Sequence, residues 1–317
     1  MDGDDRGGKI GATQQAGEPT CQLVRDCSCY VGMRLLSAEE IRKAVQAALA
    51  EDIGSGDATT LATVPETAHA RAVMQAREPL VVCGLAFAEA AFTELSPALQ
   101  LKRLAADGQP VMAGDRLLEL AGPARGILSA ERVALNFVQR LSGVATLTAQ
   151  FVEAVKGTKA KILDTRKTTP GWRRFEKYAV VCGGGENLRI GLDDMILIKD
   201  NHLAALKGEQ PNPIEAAVLR ARTKYPKLKV EVEADTLEQV EQAAAAGADV
   251  ILLDNMTLIQ LRLAVQSVRE RAKTEASGGV NLASASAIAE TGVDFISVGA
   301  ITHSARAVDV GLDFEEL

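Results

Sequence analysis

From about residue 160 onward, short apolar runs alternate with amphipathic helical segments. The apolar runs are KILDT, MILIKD, KVEVEAD, DVILLDN, KTEAS and DFISVGA. Strand–helix alternation at this spacing predicts parallel strands joined by crossover helices. At least six such units follow one another, and no GxGxxG turn follows the first strand. The pattern therefore favours an α/β barrel over a doubly wound sheet.

The chain before residue 160 has a different pattern. Ser37 is expected to cap a helix over SAEEIRKAVQAALAED. Residues 68–122 indicate mixed strand, helix and strand, and a long helical segment follows with an expected break at Ser142-Gly143. Residues 1–33 are polar and glycine-rich, so they are expected to form a disordered tail.

Charge and cysteine content exclude several classes of protein. The chain carries 35 Lys+Arg against 42 Asp+Glu, and this acidic balance argues against nucleic-acid binding. The sequence contains no run of about 18 apolar residues, so no membrane span is expected. No secretory segment is recognisable at the start. Five cysteines, an odd number, suggest reduced thiols in a cytoplasm. Cys21, Cys27 and Cys29 have no histidine nearby to complete a metal site.

Charged residues end four of the predicted barrel strands. They are Asp164, Lys199, Glu233 and Asp254. Strand ends converge on one mouth of an α/β barrel, where active sites lie, so a shared site is expected there. Because side chains alternate along a strand, Glu231 should face inward together with Glu233. Leu252 and Asp254 should share the inner face in the same way.

Positive charge is concentrated between residues 164 and 189. Six basic groups lie there against three acidic ones, and the basic ones are Arg166, Lys167, Arg173, Arg174, Lys177 and Arg189. Glycine-rich turns at 277–279 and 298–300 follow the last two predicted strands, where barrels usually bind phosphate. Carboxylates beside phosphate groups commonly hold Mg²⁺. The residues therefore predict a polyanion site, but they do not identify the reaction.

Eight longer motifs carry a resemblance to a known family. They are LNFVQRLSGVAT (135–146), LDTRKTTPG (163–171), EKYAVVCGGG (176–185), IGLDDMILIKDNH (190–202), VEVEA (230–234), ILLDNM (251–256), EASGGV (275–280) and ISVGAITHS (296–304). Together they resemble the quinolinate phosphoribosyltransferase family, from about residue 35 to the C-terminus.

The resemblance implies two domains. An N-terminal α/β sandwich domain would span 34–140, and an irregular, open α/β barrel would span 141–303. The C-terminal tail, 304–317, would return to the sandwich. The resemblance also implies a homodimer in which the sandwich of one subunit covers the barrel mouth of the other.

The resemblance implies a reaction as well. Quinolinate and phosphoribosyl pyrophosphate would give nicotinate mononucleotide, pyrophosphate and carbon dioxide, a step in NAD synthesis that needs Mg²⁺. The implied basic cluster around the quinolinate carboxylates and the pyrophosphate consists of Arg166, Lys167, Arg189 and Lys199. Arg132, in AERVALN, would be contributed from the partner subunit.

The remaining roles implied by the resemblance concern the ribose. Glu233 and Asp254 would lie near the ribose and the metal, which they would hold indirectly or through the substrate. The cradle for the ribose 5-phosphate would consist of Ser277, Gly278 and Gly299, with His303 close by. The residues expected to carry catalysis are Glu233, Asp254, Lys167 and Lys199.

The sequence departs from the family at one position. The family commonly has GGGxNHR, whereas this chain has GGGENLR, with Leu188 in the place of the histidine. A histidine can donate a hydrogen bond to a substrate carboxylate, and leucine cannot.

Three alternatives stay open. The first is a paralogue of the same fold, associated with molybdate transport, that acts on a different acceptor. The second is a lyase in which Lys199 forms a Schiff base. The third is a non-catalytic sensor of a phosphorylated metabolite, although a sensor of anions gains nothing from Glu233 and Asp254.

Overall fold

The computed structural model describes residues 36–315. The predicted tail with Cys21, Cys27 and Cys29 lies outside the described residues. The N-terminal part contains short strands and helices that lead into one long helix. These elements are α1 (Ala38–Ile53), α2 (Ala58–Thr63), β1 (His69–Ala76), β2 (Leu80–Val81), α3 (Leu85–Leu95), β3 (Gln100–Arg103), β4 (Pro110–Val111), β5 (Arg116–Pro123) and α4 (Ala124–Ala154).

The C-terminal part alternates strand and helix, as the sequence predicts. Its elements are β6 (Lys161–Leu163), α5 (Arg173–Cys182), β7 (Ile196–Ile198), α6 (Asp200–Ala204), α7 (Pro213–Lys224), β8 (Val230–Ala234), α8 (Leu237–Ala245), β9 (Val250–Asp254), α9 (Leu258–Val268), β10 (Lys273–Ser277), α10 (Leu282–Ala289), β11 (Phe295–Ser297), α11 (Ala300–His303) and β12 (Val310–Glu315). All six predicted barrel strands are confirmed.

The strands form two main sheets. Six parallel strands pair in the order β6-β11-β10-β9-β8-β7, so β6 and β7 are the two edges of an open barrel. An antiparallel sheet has the order β12-β1-β5-β3, and β2 pairs with β4. The predicted fold class, an α/β barrel preceded by an α/β domain, is confirmed.

The C-terminal strand belongs to the first sheet. β12 pairs antiparallel with β1, from Val310 opposite Ala76 to Glu315 opposite Arg71. The chain therefore leaves the barrel after α11 and closes the N-terminal sheet at its edge.

Capping explains where the first helix begins. The Ser37 hydroxyl accepts a hydrogen bond from the Glu40 backbone N–H at 3.2 Å, and the Glu40 carboxylate accepts one from the Ser37 N–H at 2.9 Å. This reciprocal pair satisfies two N–H groups that the helix itself leaves free. The cap predicted at Ser37 is confirmed.

The break predicted at Ser142-Gly143 is wrong, because α4 is continuous through both residues. The Ser142 hydroxyl accepts from the Cys83 N–H and donates to the Cys83 carbonyl, at 2.9 and 3.1 Å. A Cβ on Gly143 would overlap the carbonyl oxygen of Arg306. The glycine therefore permits close packing rather than ending the helix, and the domain boundary predicted at 140/141 lies within α4.

Burial follows the alternation of side chains along the strands. Val230 and Val232 of β8 lie in the main apolar core, whereas Glu231 faces the barrel interior and is fully buried. A second, small apolar cluster fills part of that interior and consists of Leu163, Leu188, Met195, Val250 and Phe295. Within residues 36–315, no helix is long and apolar enough to cross a membrane.

Candidate active site

A cavity of about 770 Å³ opens at the carboxyl ends of the barrel strands. Ten of the eleven predicted site residues line it, namely Arg166, Lys167, Arg189, Lys199, Glu233, Asp254, Ser277, Gly278, Gly299 and His303. They come from strand ends, loops and one short helix that are far apart in sequence, and the parallel sheet brings the strand ends together. Their individual roles stay predictions.

One wall of the cavity is positively charged. Within residues 36–315, no carboxylate lies within 4.0 Å of Arg166, Lys167 or Arg189. The Arg166 Nε is buried and has no hydrogen-bond partner among the described residues. Arg189 is 8% exposed, and its Nη1 reaches only the Met195 carbonyl at 3.4 Å. Burial and the nearby Arg166 lower the pKa of Arg189, so this wall favours the arrival of an anion.

Two carboxylates, Glu233 and Asp254, also line the cavity. Lys199 Nζ lies 3.2 Å from Glu233 Oε2, so the two opposite charges partly neutralise each other. The Asn255 side-chain amide donates to Asp254 Oδ2 at 2.6 Å. Both carboxylates line the cavity and keep further oxygen atoms for a ligand.

The donor set suits a hard divalent cation that is held mainly through a substrate. Glu233 and Asp254 offer oxygen ligands, which Mg²⁺ prefers, and Mg²⁺ usually keeps several waters or substrate phosphates. Among the described residues, three side chains of types that can ligate a metal lie close together outside this cavity. They are Cys83, Asp107 and Cys182. The cavity therefore resembles a substrate-assisted cation site rather than a complete protein cage.

A glycine turn follows β10 at the edge of the cavity. Gly278 has a φ of +96°, and a Cβ there would overlap the side-chain amide of Asn255. Glycine is required at this position on both grounds. Backbone N–H groups of such turns can surround a phosphate.

A second turn, at Gly299, lies against the side chains of His303 and Lys167. A Cβ on Gly299 would lie 3.1 Å from both the His303 Nε2 and the Lys167 Cδ. The His303 Nδ1 is 2.6 Å from the Ser304 hydroxyl, so the other ring nitrogen faces the turn. The two glycine turns and His303 thus line the same cavity, and their predicted role in binding phosphate stays a prediction.

The prediction that all four strand-end charges share the mouth is wrong for Asp164. Its carboxylate is fully buried and accepts from Lys177 Nζ and, at 2.9 Å, from the Leu188 N–H. Lys177 is also fully buried and donates to the Leu188 carbonyl at 3.2 Å. Burial raises the pKa of Asp164 to about 7, although Lys177 opposes that shift. This pair fixes the backbone that leads to Arg189 instead of facing a ligand.

Two further members of the basic stretch are occupied by partners in the chain. Arg173 donates to the Thr168 hydroxyl and to the Ile190 carbonyl, at 3.1 and 3.0 Å. Arg174 lies 2.8 Å from Glu40 of α1. Three of the six basic groups therefore face the cavity, and the other three stabilise its surroundings.

Leu188 lies at the floor of the cavity and is almost fully buried. Its side chain packs in the small apolar cluster inside the barrel, next to Leu163 and Phe295. Its backbone holds the Asp164–Lys177 pair through both its N–H and its carbonyl. The leucine thus contributes an apolar floor where the family motif commonly has a polar ring.

Sequence reasoning missed Glu275 and Ser297, which also line the cavity. Glu275 is fully buried, and the Ser297 hydroxyl donates to it. The alternation in KTEAS is the signal that could have found Glu275, because the flanking Thr274 and Ala276 face away from the interior. The predicted inward position of Glu231 is confirmed, since it is also fully buried.

Arg132 is the predicted site residue that the cavity lacks. It is exposed on α4 and does not line the cavity of its own chain. Its predicted contribution from a second subunit stays a prediction.

The fold and the cavity together define a class of protein. Three cations that have no carboxylate partner within residues 36–315 meet two carboxylates and glycine turns at the mouth of an α/β barrel. Barrel enzymes that bind phosphorylated, multiply anionic substrates combine such groups. A family model described as quinolinate phosphoribosyl transferase, C-terminal domain, matches residues 144–313, and the N-terminal domain model matches residues 57–142. The chain therefore belongs to the quinolinate phosphoribosyltransferase family, and the resemblance is confirmed.

Individual relatives agree over nearly their whole length. The chain is 45% identical over 278 residues to a nicotinate-nucleotide pyrophosphorylase (carboxylating) of Mycobacterium leprae, covering 86% of this chain and 96% of that protein. It is 41% identical to a probable nicotinate-nucleotide pyrophosphorylase (carboxylating) of Bacillus subtilis, covering 86% and 93%. The solved nicotinate-nucleotide pyrophosphorylase of Francisella tularensis superposes with a TM-score of 0.83 at 42% identity, covering 88% and 98%.

Proposed function

We infer that this chain transfers the phosphoribosyl group of phosphoribosyl pyrophosphate to quinolinate. Decarboxylation accompanies the transfer and gives nicotinate mononucleotide, pyrophosphate and carbon dioxide, which supplies NAD synthesis. The observation that carries the inference is the cavity wall of Arg166, Lys167 and Arg189 in a chain of this family. Within residues 36–315 these three cations have no carboxylate partner. A dicarboxylate and a pyrophosphate are the partners that such cations favour.

The side chains support the transfer by position and charge. Departure of pyrophosphate leaves positive charge on the ribose, which Glu233 and Asp254 stabilise electrostatically. The pyridine nitrogen then forms a bond to the anomeric carbon. Because this step needs little proton transfer, orientation of the two substrates supplies most of the rate. The positively charged, alkylated ring stabilises the electron pair that remains when the neighbouring carboxylate leaves as carbon dioxide. A proton from water then bonds to that ring carbon and gives the product.

Mg²⁺ is proposed as the metal. When bound, it neutralises the leaving pyrophosphate. Glu233 and Asp254 would hold it through water or the substrate, consistent with two oxygen-bearing side chains rather than a full protein cage.

A homodimer with shared sites is the proposed assembly, because Arg132 is exposed and does not line its own cavity. Arg132→Ala should abolish activity, and so should Lys199→Ala. Mixing the two variants should recover activity, since a mixed dimer keeps one site with both residues intact. Mixed dimers without any activity would contradict the shared site.

The environment of Lys199 disfavours the Schiff-base alternative. Its side chain is 48% exposed and paired with Glu233. A lysine that attacks a carbonyl needs a desolvated, deprotonated amine. Borohydride trapping in the presence of substrate should therefore leave Lys199 unmodified.

An assay of the purified protein tests the function directly. Quinolinate, phosphoribosyl pyrophosphate and Mg²⁺ should give nicotinate mononucleotide, while nicotinate offered in parallel should not react. Turnover with quinolinate makes Leu188 a tolerated variation. Binding of phosphoribosyl pyrophosphate without turnover of quinolinate would overturn the proposal in favour of a paralogue with another acceptor.

A further inference from the structure

An ion pair between two helices lies next to the loop that carries Arg166 and Lys167. It joins Arg140 of α4 to Glu176 of α5, and the distance between Nη2 and Oε1 is 2.6 Å. The Glu176 side chain is 0% exposed and the Arg140 side chain 24% exposed. Neither residue lines the cavity. The pair can therefore influence the site only through the groups that it contacts.

The Glu176 carboxylate binds the loop that follows β6. Its Oε2 accepts a hydrogen bond from the Thr169 backbone N–H at 3.0 Å, and its Oε1 accepts one from the Thr169 hydroxyl at 2.8 Å. With the bond from Arg140, the carboxylate accepts three hydrogen bonds, which offset much of the cost of burying its charge. Glu176 thus fixes the backbone just after Arg166 and Lys167 and does not neutralise their side chains.

The Arg140 guanidinium binds the other element that borders this loop, the short helix α11. It donates to the Thr302 carbonyl at 2.6 Å and to the Ala305 carbonyl. Thr302 is fully buried, and its hydroxyl donates to the Lys167 carbonyl at 2.8 Å. The next residue, His303, lines the cavity. The ion pair therefore connects the cation-bearing loop to α11 from both sides.

This connection opposes an electrostatic tendency of the loop. Arg166 and Lys167 are consecutive cations, and within residues 36–315 no carboxylate lies within 4.0 Å of either. Arg189 lines the same cavity. Like charges at short range repel one another, and each would be better hydrated if the loop moved outward. The backbone hydrogen bonds to Glu176 and Thr302 resist that movement.

We propose that Arg140 and Glu176 are positioning residues for anion binding, which hold Arg166 and Lys167 beside α11 while both cations stay available to the ligand. The ion pair touches no ligand itself and acts through the loop. That the anion is the pyrophosphate group of phosphoribosyl pyrophosphate rests on the proposed function.

Glu176→Gln tests the proposal, because the amide has nearly the same shape but cannot accept all three hydrogen bonds. Its amino group must face either the Thr169 N–H or the Arg140 guanidinium, which are both donors. The loop should then leave its position for part of the time. We expect kcat/KM for phosphoribosyl pyrophosphate to fall by about 10- to 100-fold, the effect of a small misplacement at an active site.

Tyr178→Phe is the matched control on the same helix. It removes a hydrogen bond of 2.9 Å to Asp107, and neither of these residues lines the cavity. Its kcat/KM should stay within about twofold of the wild-type value. An unchanged kcat/KM in Glu176→Gln as well would overturn the proposal.

A double-mutant cycle separates positioning from a general structural role. If Glu176 acts through the loop, Glu176→Gln should cost less in an Arg166→Ala background, where one of the positioned cations is missing. The further loss of kcat/KM should be smaller there by at least about threefold. A loss of the same size in both backgrounds would mean that Glu176 supports the fold without positioning Arg166, and would overturn the proposal.

Thr302→Val repeats the cycle in a protein whose ion pair is intact. Valine has nearly the same size as threonine but lacks the hydroxyl that binds the Lys167 carbonyl. It should lower kcat/KM by about fivefold, the equivalent of one neutral hydrogen bond, and the loss should again be smaller in the Arg166→Ala background. No loss in the wild-type background would contradict the connection to α11.

Hydrogen exchange of the free protein needs no substrate. The Thr169 amide should exchange about tenfold faster in Glu176→Gln than in the wild type, the equivalent of one hydrogen bond to a charged group. Tyr178→Phe should leave this rate unchanged. An unchanged rate in Glu176→Gln would refute the connection whatever the protein catalyses. Conversely, absence of turnover in the wild type would refute the proposed function and leave the exchange result standing.

Discussion

Two groups of charge in the stretch from Leu163 to Gly191 lie in the same barrel but have opposite surroundings. Asp164 and Lys177 are fully buried, and each finds its partners inside the chain. Arg166 and Arg189 belong to the same stretch and face the cavity, and no carboxylate among the described residues pairs with them. A cation with internal partners holds the structure, whereas a buried cation without them marks the surface that a substrate covers.

The two groups also differ in the desolvation free energy that is left uncompensated in the folded state. The Asp164–Lys177 pair offsets its desolvation with a direct ion pair and with hydrogen bonds to the Leu188 backbone. Among the described residues, no carboxylate compensates the charges of Arg166 and Arg189 before an anion binds. Stability and activity should therefore respond in opposite ways to mutations in the two groups.

The largest effect is expected from breaking the buried pair. Lys177→Met leaves the Asp164 charge buried without its partner, so the free energy of unfolding should fall by about 3–5 kcal/mol. Urea denaturation followed by circular dichroism measures the change. The double variant with Asp164→Asn should recover most of the loss. Equal stabilities of the single and double variants would contradict an ion pair at this position.

Replacement of a cation that faces the cavity should lower activity and not stability. Arg166→Ala should lower kcat/KM by about 100- to 1,000-fold, the usual loss for one charged donor aimed at a reacting group. The melting temperature of the Arg166→Ala variant should not fall, because the substitution removes a positive charge that the free protein does not neutralise. Arg220→Ala, which breaks a surface pair with Glu209, is the control and should leave kcat/KM unchanged. A large fall in the melting temperature of Arg166→Ala would place this residue with the structural group.

The smallest effect is expected at a surface pair. The Arg306 guanidinium and the Asp309 N–H lower the pKa of Glu78 to about 2. The stabilisation is therefore present above the ordinary glutamate pKa and is lost as the pH falls toward 2. Arg306 is largely exposed, so Glu78→Gln should cost less than about 1 kcal/mol at neutral pH. Thermal melts of both proteins across this pH range should converge at the acid end.

Periodicity was enough to predict the barrel. Apart from Thr274 of β10, the strand positions that face the helices are apolar, and β8 illustrates this with Val230 and Val232 in the core. The expected break in α4 failed for a different reason. Gly143 is required by the backbone at Arg306, which is distant in sequence, and no local pattern carries that information.

The sequence predicts the positions of those site residues that sheet topology alone determines. Strand ends of a parallel sheet meet, so Glu233, Asp254 and Lys199 come together whatever their partners are. The fate of Asp164 was not predictable, because it depends on whether Lys177 of a neighbouring helix reaches it. A charged residue in a sequence does not reveal whether another residue of the chain already neutralises it.

The pairing of β12 with β1 affects the order of events during protein synthesis. β12 follows all six barrel strands in the sequence, so the ribosome makes the whole barrel before it makes the strand that completes the first sheet. Until then β1 keeps one edge of unpaired N–H and carbonyl groups, and such edges favour association with other chains. The edge of β1 is therefore open to association with other chains until translation has passed the barrel.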